Sequence, residues 1–196
     1  MCIRDSCVAL CPAGVDIPGY VALVAEGRYA DAVSLIRKDN PMPSVCALIC
    51  EHPCEARCRR NMIDDAINIR GLKRYAVDHA GDVPLPAPAP KTGKRVAVIG
   101  GGPGGISAAY YLALMGHEVT IFEQRKELGG MLRYGIPNYR LPRTVLDKEI
   151  ETLLSIGVKV ETEVTIGENP NIVDIRNQFH AVYIAIGCLL YTSRCV

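Results

Sequence analysis

A helical, cysteine-rich unit followed by an α/β unit with a parallel sheet is the architecture this sequence predicts, and three observations carry it. Six of the nine cysteines fall between Cys7 and Cys58. Apolar residues recur at helical spacing through the first eighty positions, whereas from Arg95 onward short apolar runs alternate with helix-compatible ones. Between these regions, Asp82 to Lys94 places proline at every second position from Pro84 to Pro90, which favours an extended, semi-rigid connector. The expected organisation is therefore a helical domain over 1–81, a linker over 82–94, an α/β domain over 95–187 and a short tail over 188–196.

Taken in order, Tyr20, Val21, Val24, Tyr29, Ala32, Val33 and Ile36 define two short helices, broken at Glu26-Gly27-Arg28. Pro41 and Pro43 end the second helix and lead into the cysteine block. Ile67 to His79 follows as a helix with Ile69, Leu72, Tyr75 and Ala76 on one face. Beyond the linker the pattern predicts a strand at 95–99, a helix at 103–115, a strand at 118–123, a loop to about Leu141 and a helix at 142–156. A strand at 158–161, a short one around Val164 and a last one at 181–186 complete it. Pro142 suits a first helical turn, and Gly116 and Gly157 stop the two long helices. No internal repeat is present.

Bulk composition narrows the partners. Among 196 residues, 22 lysines and arginines nearly balance 21 aspartates and glutamates, so no broad field favours nucleic acid or an anionic membrane. No apolar run approaches the length of a membrane span, and the first residues lack a signal-peptide pattern, so a cytoplasmic location is expected. In that setting clustered cysteines point to metal or redox chemistry rather than disulfides.

Cys7 and Cys11 form C-x3-C-P with Pro12, matching the end of a bacterial ferredoxin-type run. Cys46, Cys50, Cys54 and Cys58 follow at steps of four, so on any helical stretch neighbouring sulfurs project from one side. Soft thiolates of this kind suit iron–sulfur clusters or zinc. A structural zinc site is the bland alternative, but zinc modules use tighter paired knuckles and one tetrahedral site consumes only four ligands. Thiols acting as small hydrophobes are a further alternative. His52, between two cysteines, reads as solvated or hydrogen-bonded rather than ligating.

The second signal is a nucleotide site. The apolar run Val96 to Ile99 enters Gly100-Gly101-Gly102-Pro103-Gly104-Gly105, a G-x-G-x-x-G pattern opening a helix, and Glu123 ends the next apolar strand. In such a loop Gly100 turns the chain, Gly102 lets backbone approach a pyrophosphate, and Gly105 lets helix and strand close up. The helix N-terminus offers free N–H groups and a positive dipole end, and Glu123 faces the ribose hydroxyls. Gly129-Gly130 and the Ala185-Ile186-Gly187 turn are two further small-residue turns, and together they favour a cofactor longer than a nicotinamide nucleotide.

These residues resemble one family: the small subunit of glutamate synthase, the N-terminal part of dihydropyrimidine dehydrogenase, and related NAD(P)H-dependent FAD and iron–sulfur oxidoreductases. The resemblance runs from about Cys7 to Gly187. Its marks are Cys11-Pro12, Pro53-Cys54-Glu55 with Cys58, Lys94-Arg95 through Gly100, and above all Gly129-Gly130-Met131-Leu132-Arg133-Tyr134-Gly135-Ile136-Pro137 with Leu141-Pro142. It implies an α-helical iron–sulfur domain followed by an incomplete α/β Rossmann-like FAD-binding domain, with NAD(P)H bound by a further domain in the full-length parent. It also implies that Cys7 and Cys58 serve one 4Fe-4S cluster and Cys11, Cys50 and Cys54 another, with Cys46 left open. In some relatives the fourth ligand of the second cluster is a side chain near Lys73, and lysine is a poor iron ligand. For FAD it implies Gly101 to Gly105 at the pyrophosphate, Glu123, Gln124 and the turn through Gly129, Gly130 and Met131 at the ribose and beyond, and Arg140 and Ile166 as further contacts.

Met1 to Ser6 and Cys188 to Val196 fit no part of that pattern and are expected to be foreign to a gene fragment, so no function is expected of Cys2, Cys188 or Cys195. No second G-x-G-x-x-G follows residue 105, so the hydride-donor step is expected to lie outside this chain. The expected function is electron transfer between NAD(P)H, FAD and iron–sulfur clusters, delivered to an electron-acceptor subunit or domain. The competing readings are a zinc-stabilised helical binding module fused to an NAD-binding Rossmann domain, and a simple NAD-dependent dehydrogenase.

Overall fold

The computed structural model describes residues 6–167 and 170–187, so Cys2, Cys188, Cys195 and the tails around them lie outside the described residues. The chain divides into two compact units, the first ending at Pro84 and the second beginning at Leu85.

In the first unit, helices α1 (Ser6–Leu10), α2 (Ile17–Ala25), α3 (Tyr29–Arg37), α4 (Pro43–Ile49), α5 (Pro53–Ala56) and α6 (Ile69–His79) are joined by short turns. Asp16 caps α2 by accepting from the Gly19 N–H at 3.0 Å. Gly27, at φ +75°, makes the expected break before α3. Asn68 caps α6 through the Gly71 N–H. Tyr20, Ala32, Ile36 and Ala76 are fully buried, with Val15, Ile17, Val33, Ile69 and Cys54 around them, and Cys7 and Cys11 pack against this core. The α6 face differs from the expected one. Tyr75 is half-exposed, its ring stacked 3.9 Å from that of His79, while Lys73 is buried. Helix α4, within the cysteine block, was not separately expected.

The second unit holds a four-stranded parallel sheet of order β3-β2-β1-β4, built from β1 (Arg95–Ile99), β2 (Glu118–Glu123), β3 (Lys159–Thr162) and β4 (Ala181–Ile184). Ile99 registers with Phe122 on one side and Ile184 on the other. Helix α7 (Pro103–Leu114) packs on the face bearing Val98, because a Cβ on Gly105 would touch that side chain. On the opposite face Ala97 and Phe122 bury Ile175 of α10 (Ile172–Gln178), with Val164, Ile166, Phe179 and Val182 packed against them. The result is three layers, completed by α8 (Met131–Tyr134) and α9 (Arg143–Leu154), the latter against α7.

Three expectations need correction. No strand forms at Val164; its N–H donates to the Glu123 carbonyl at 3.0 Å, extending the end of β2 without a ladder. Helix α10 lies in a stretch to which the sequence pattern assigns no element, and Asn171 and Asp174 close a capping box at its start. The proline-rich segment, expected to be extended and semi-rigid, is tied down in its second half. Ala89 donates to the Leu114 carbonyl at 2.8 Å and Thr92 to the Gly116 carbonyl at 3.0 Å, fastening it to the turn between α7 and β2.

Candidate functional site

Strand β1 stands between β2 and β4: the chain steps outward from it through β2 to β3, then crosses back to β4 on its other side, which opens a crevice at its carboxyl end. Gly100 sits there at φ +107°, a conformation that favours glycine, and a Cβ on it would overlap the Ala185 carbonyl. Its N–H donates to the Phe122 carbonyl at 2.8 Å, and the Ala185 N–H donates to Ile99, so three strands are locked around the turn. A Cβ on Gly105 would overlap the Gly100 carbonyl oxygen, so only glycine lets α7 start this close to β1. Gly102 is the N-cap of α7 and supplies no side-chain cap, with Pro103 at the first helical position and Gly104 open around its Cα. The free N–H groups of that end suit a phosphate oxygen.

Glu123 is buried at the end of β2, where its Oε2 accepts from the Gly101 N–H at 2.7 Å and its Oε1 from the Arg125 N–H at 2.9 Å. A carboxylate carries about four acceptor sites, so two remain for hydroxyl donors. Gln124 beside it is exposed. Gly129 (φ +118°) donates from its N–H to the Gly101 carbonyl at 2.8 Å, and a Cβ on Gly130 would stand 2.7 Å from the Gly102 Cα. Two glycine turns therefore face each other, leaving a cleft wall of bare backbone. The fit to an extended dinucleotide rests on this cradle.

Two arginines hold the segment after Gly130. Arg133 donates to the Leu128 carbonyl at 2.6 Å and pairs with Asp147, and Arg143 donates to the carbonyls of Leu132 (3.0 Å) and Ile136 (2.8 Å). Met131 and Arg140 are exposed, Ile166 is half-buried against the core below β2, and Gly187 follows β4 at φ +80° with open space around it. The two buttressing arginines were not singled out as functional by the sequence; the string that contains the first was.

In the helical unit the thiols converge on α6. The Tyr20 hydroxyl donates to the Ile69 carbonyl at 3.1 Å. Burial, and after it the nearby cysteines, push its ionisation far above the usual phenol range; Cys54 shares its buried cluster, and Cys7 and Cys11 pack against that cluster. Burial, with Cys50, Glu55 and Cys11 nearby, pushes the Cys54 thiol up to about 11. Burial also raises Cys46, an effect that Lys73 opposes. The Lys73 Nζ donates to the Cys46 Sγ at 3.2 Å. Arg70 Nη1 donates to the Cys50 carbonyl at 3.0 Å, and the Arg70 N–H to Glu55 Oε1 at 2.8 Å. Cys58 is buried just after α5, beside Arg60. His52, at φ +44°, donates from its backbone to Cys50 Sγ at 3.3 Å and turns its ring toward Glu55 Oε2 at 3.1 Å. Among the described residues no three His, Cys, Asp or Glu side chains are gathered tightly enough to hold a single metal ion. Six cysteines in one helical unit, Cys54 and Cys58 buried and Cys7 and Cys11 packed on its core, supply more soft donors than one tetrahedral ion uses, which suits iron–sulfur ligation.

Among the described residues no helix is long and apolar enough to cross a membrane. Residues 1–83 match the family described as dihydropyrimidine dehydrogenase domain II, 4Fe-4S cluster, and residues 98–160 match the NAD(P)-binding Rossmann-like domain. The chain is 41% identical over 186 residues to the beta subunit of NADPH-Fe(3+) oxidoreductase from Geobacter sulfurreducens, covering 92% of this chain and 28% of that protein. It is 33% identical over 191 residues to the NAD-dependent dihydropyrimidine dehydrogenase subunit PreT of Salmonella typhimurium, covering 95% and 46%. It is 35% identical over 180 residues to the glutamate synthase [NADPH] small chain of Mycobacterium tuberculosis, covering 90% and 37%. The chain thus spans less than half the length of each of these relatives. Over nearly its whole length the chain is similar to subunits of pyridine-nucleotide-dependent oxidoreductases, glutamate synthase small chains and dihydropyrimidine dehydrogenase subunits among them, its helical unit matching the 4Fe-4S model and its α/β unit the Rossmann-like one.

Proposed function

We propose that this chain is the cluster-holding and FAD-holding part of an NAD(P)H-dependent oxidoreductase, serving an electron-acceptor subunit or domain. The observation that carries it is the pairing, in one chain, of cysteines packed against α6 with a glycine cradle closed by Glu123. When bound, FAD would exchange a hydride with NAD(P)H, and the clusters would carry the same two electrons one at a time. Everything else falls to the protein. The α7 N-terminus and the Gly101–Gly105 backbone would bind the pyrophosphate. Glu123 would orient the adenosine ribose, with Gln124 and the Gly129-Gly130-Met131 turn lining the path onward. Arg140, Ile166 and Gly187 would complete the pocket, and Cys7, Cys11, Cys46, Cys50, Cys54 and Cys58 would hold iron.

The Rossmann-like match by its description names NAD(P), and the facing glycine turns favour the longer FAD. Anaerobic purification of the chain after supplying iron, sulfide and FAD, with absorbance and metal and flavin analysis, tests the proposal. Brown-yellow protein containing iron and releasable flavin is the expected result. Colourless protein with stoichiometric zinc would replace it with the zinc-module reading, and iron without flavin would leave a nicotinamide nucleotide as the ligand of the α/β unit.

A further inference from the structure

Lys73 is the anomaly of the helical unit: a lysine on the buried side of α6, 6% exposed, with its ammonium against a thiol. A buried ammonium is costly unless an anion faces it. Glu55 is turned to the Arg70 N–H and the His52 ring. The partner is Cys46, whose Sγ accepts from Lys73 Nζ at 3.2 Å. A neutral thiol is a weak acceptor, whereas a thiolate held by a metal is a strong one. An ammonium has no lone pair to offer iron, so Lys73 can serve the thiols only as a donor. Cys46 and Cys50 lie one helical turn apart, the Cys50 N–H donating to the Cys46 carbonyl at 3.0 Å. Cys54 lies within electrostatic reach of Cys50, Cys11 and Lys73.

We infer that Cys46 is the fourth thiolate of the cluster held by Cys11, Cys50 and Cys54, and that Lys73 is a positioning residue that donates to its sulfur and offsets the charge of the ligand set. The inference rests on the iron–sulfur reading above. Hydrogen bonds to ligand sulfurs and a lower net negative charge both favour the reduced cluster. Lys73 therefore sets how readily this centre accepts an electron, without touching iron.

The test uses the full chain, loaded anaerobically with ferrous iron and sulfide, and reads iron per chain, the electron paramagnetic resonance spectrum of the reduced state, and the midpoint potential by mediated titration. Lys73→Met is expected to keep its iron and to shift the reduction equilibrium at least tenfold toward the oxidised form, which is 59 mV for a one-electron couple. Lys73→Arg, retaining a donor and the charge, should restore most of that shift. Cys46→Ala should lose iron to the extent that Cys50→Ala does, and Cys46→Ser should alter the reduced-state spectrum even where iron is retained. Unchanged iron and spectrum in both Cys46 variants would overturn the ligand assignment. An unchanged potential in Lys73→Met, or loss of its iron that Lys73→Arg does not restore, would overturn the role of Lys73. Wild-type chain that takes up no iron would instead refute the cluster reading, and this inference with it.

Discussion

Replacing Glu123 separates what its carboxylate does for the fold from what it does for a ligand. In Glu123→Ala two charge-assisted hydrogen bonds disappear, but they are not equivalent. The Gly101 N–H is buried, whereas Arg125 is exposed and its N–H can turn to water. One hydrogen bond to a charged group, lost with its donor left buried, costs about 1.5–3 kcal/mol, so the α/β unit should lose roughly 2 kcal/mol of stability. If the two remaining acceptor sites hold ribose hydroxyls, flavin binding should weaken by a further factor of about 10–100. Glu123→Gln keeps an acceptor for Gly101 and lacks the charge, so it should retain most of the stability while still binding flavin more weakly. Urea unfolding followed by far-ultraviolet circular dichroism reads the first quantity, and quenching of flavin fluorescence on titration reads the second. Iron content is the control, because the thiols lie in the other compact unit. Flavin affinity equal to wild type in both variants would refute the assigned role, and parallel loss of iron and flavin would refute the separateness of the two sites.

Three other substitutions probe the frame. Gly105→Ala places a methyl on the Gly100 carbonyl oxygen; the backbone must move, at a cost of about 1–3 kcal/mol, and flavin affinity should fall even where thermal denaturation shows a folded unit. Asn171→Ala removes the capping box of α10 and should destabilise the α/β unit by about 0.5–2 kcal/mol in urea titration, with no change in iron content. Tyr20→Phe deletes a buried hydroxyl that donates to Ile69 and should cost about 1 kcal/mol, read as a lower midpoint of the helical unit while flavin binding is unchanged.

How much of this was legible depended on whether a residue's partners were near in sequence. The spans of β1 and β2 were readable to the residue, because the apolar run of β1 ends at Gly100, which has a steric task, and that of β2 starts just after the Gly116 turn and closes on Glu123. Val164 misled because apolar alternation does not reveal whether a neighbouring strand is available, and here Glu123 supplies only one carbonyl. Helix α10 was hidden because Ile175 alone among its residues is buried, leaving almost no periodic signal. The Asn171 to Asp174 spacing was the clue that could have found it. On α6 the pattern indicated the right face and the wrong member. Tyr75 turns out to His79 and Tyr29, and Lys73 turns in, because the interior at that point offers sulfur rather than hydrocarbon.

The cysteine spacing and the glycine spacing were visible in the sequence for the same reason: both are short-range patterns. What makes each usable is long-range. The cysteine block is fastened by α6, which reaches back through Ile69 to Tyr20, through Arg70 to Cys50 and Glu55, and through Lys73 to Cys46, so the thiols are referenced to one rigid element. The glycine cradle is fastened in the same manner by buried or half-buried charge. Glu123 fixes Gly101 from one side, while Arg133 and Arg143 fix the backbone of Leu128, Leu132 and Ile136 on the other. Glycines alone would leave a floppy loop with a high entropic cost on ordering. Carboxylate and guanidinium groups that bind backbone make that cost part of folding, so that a ligand meets a surface already in place.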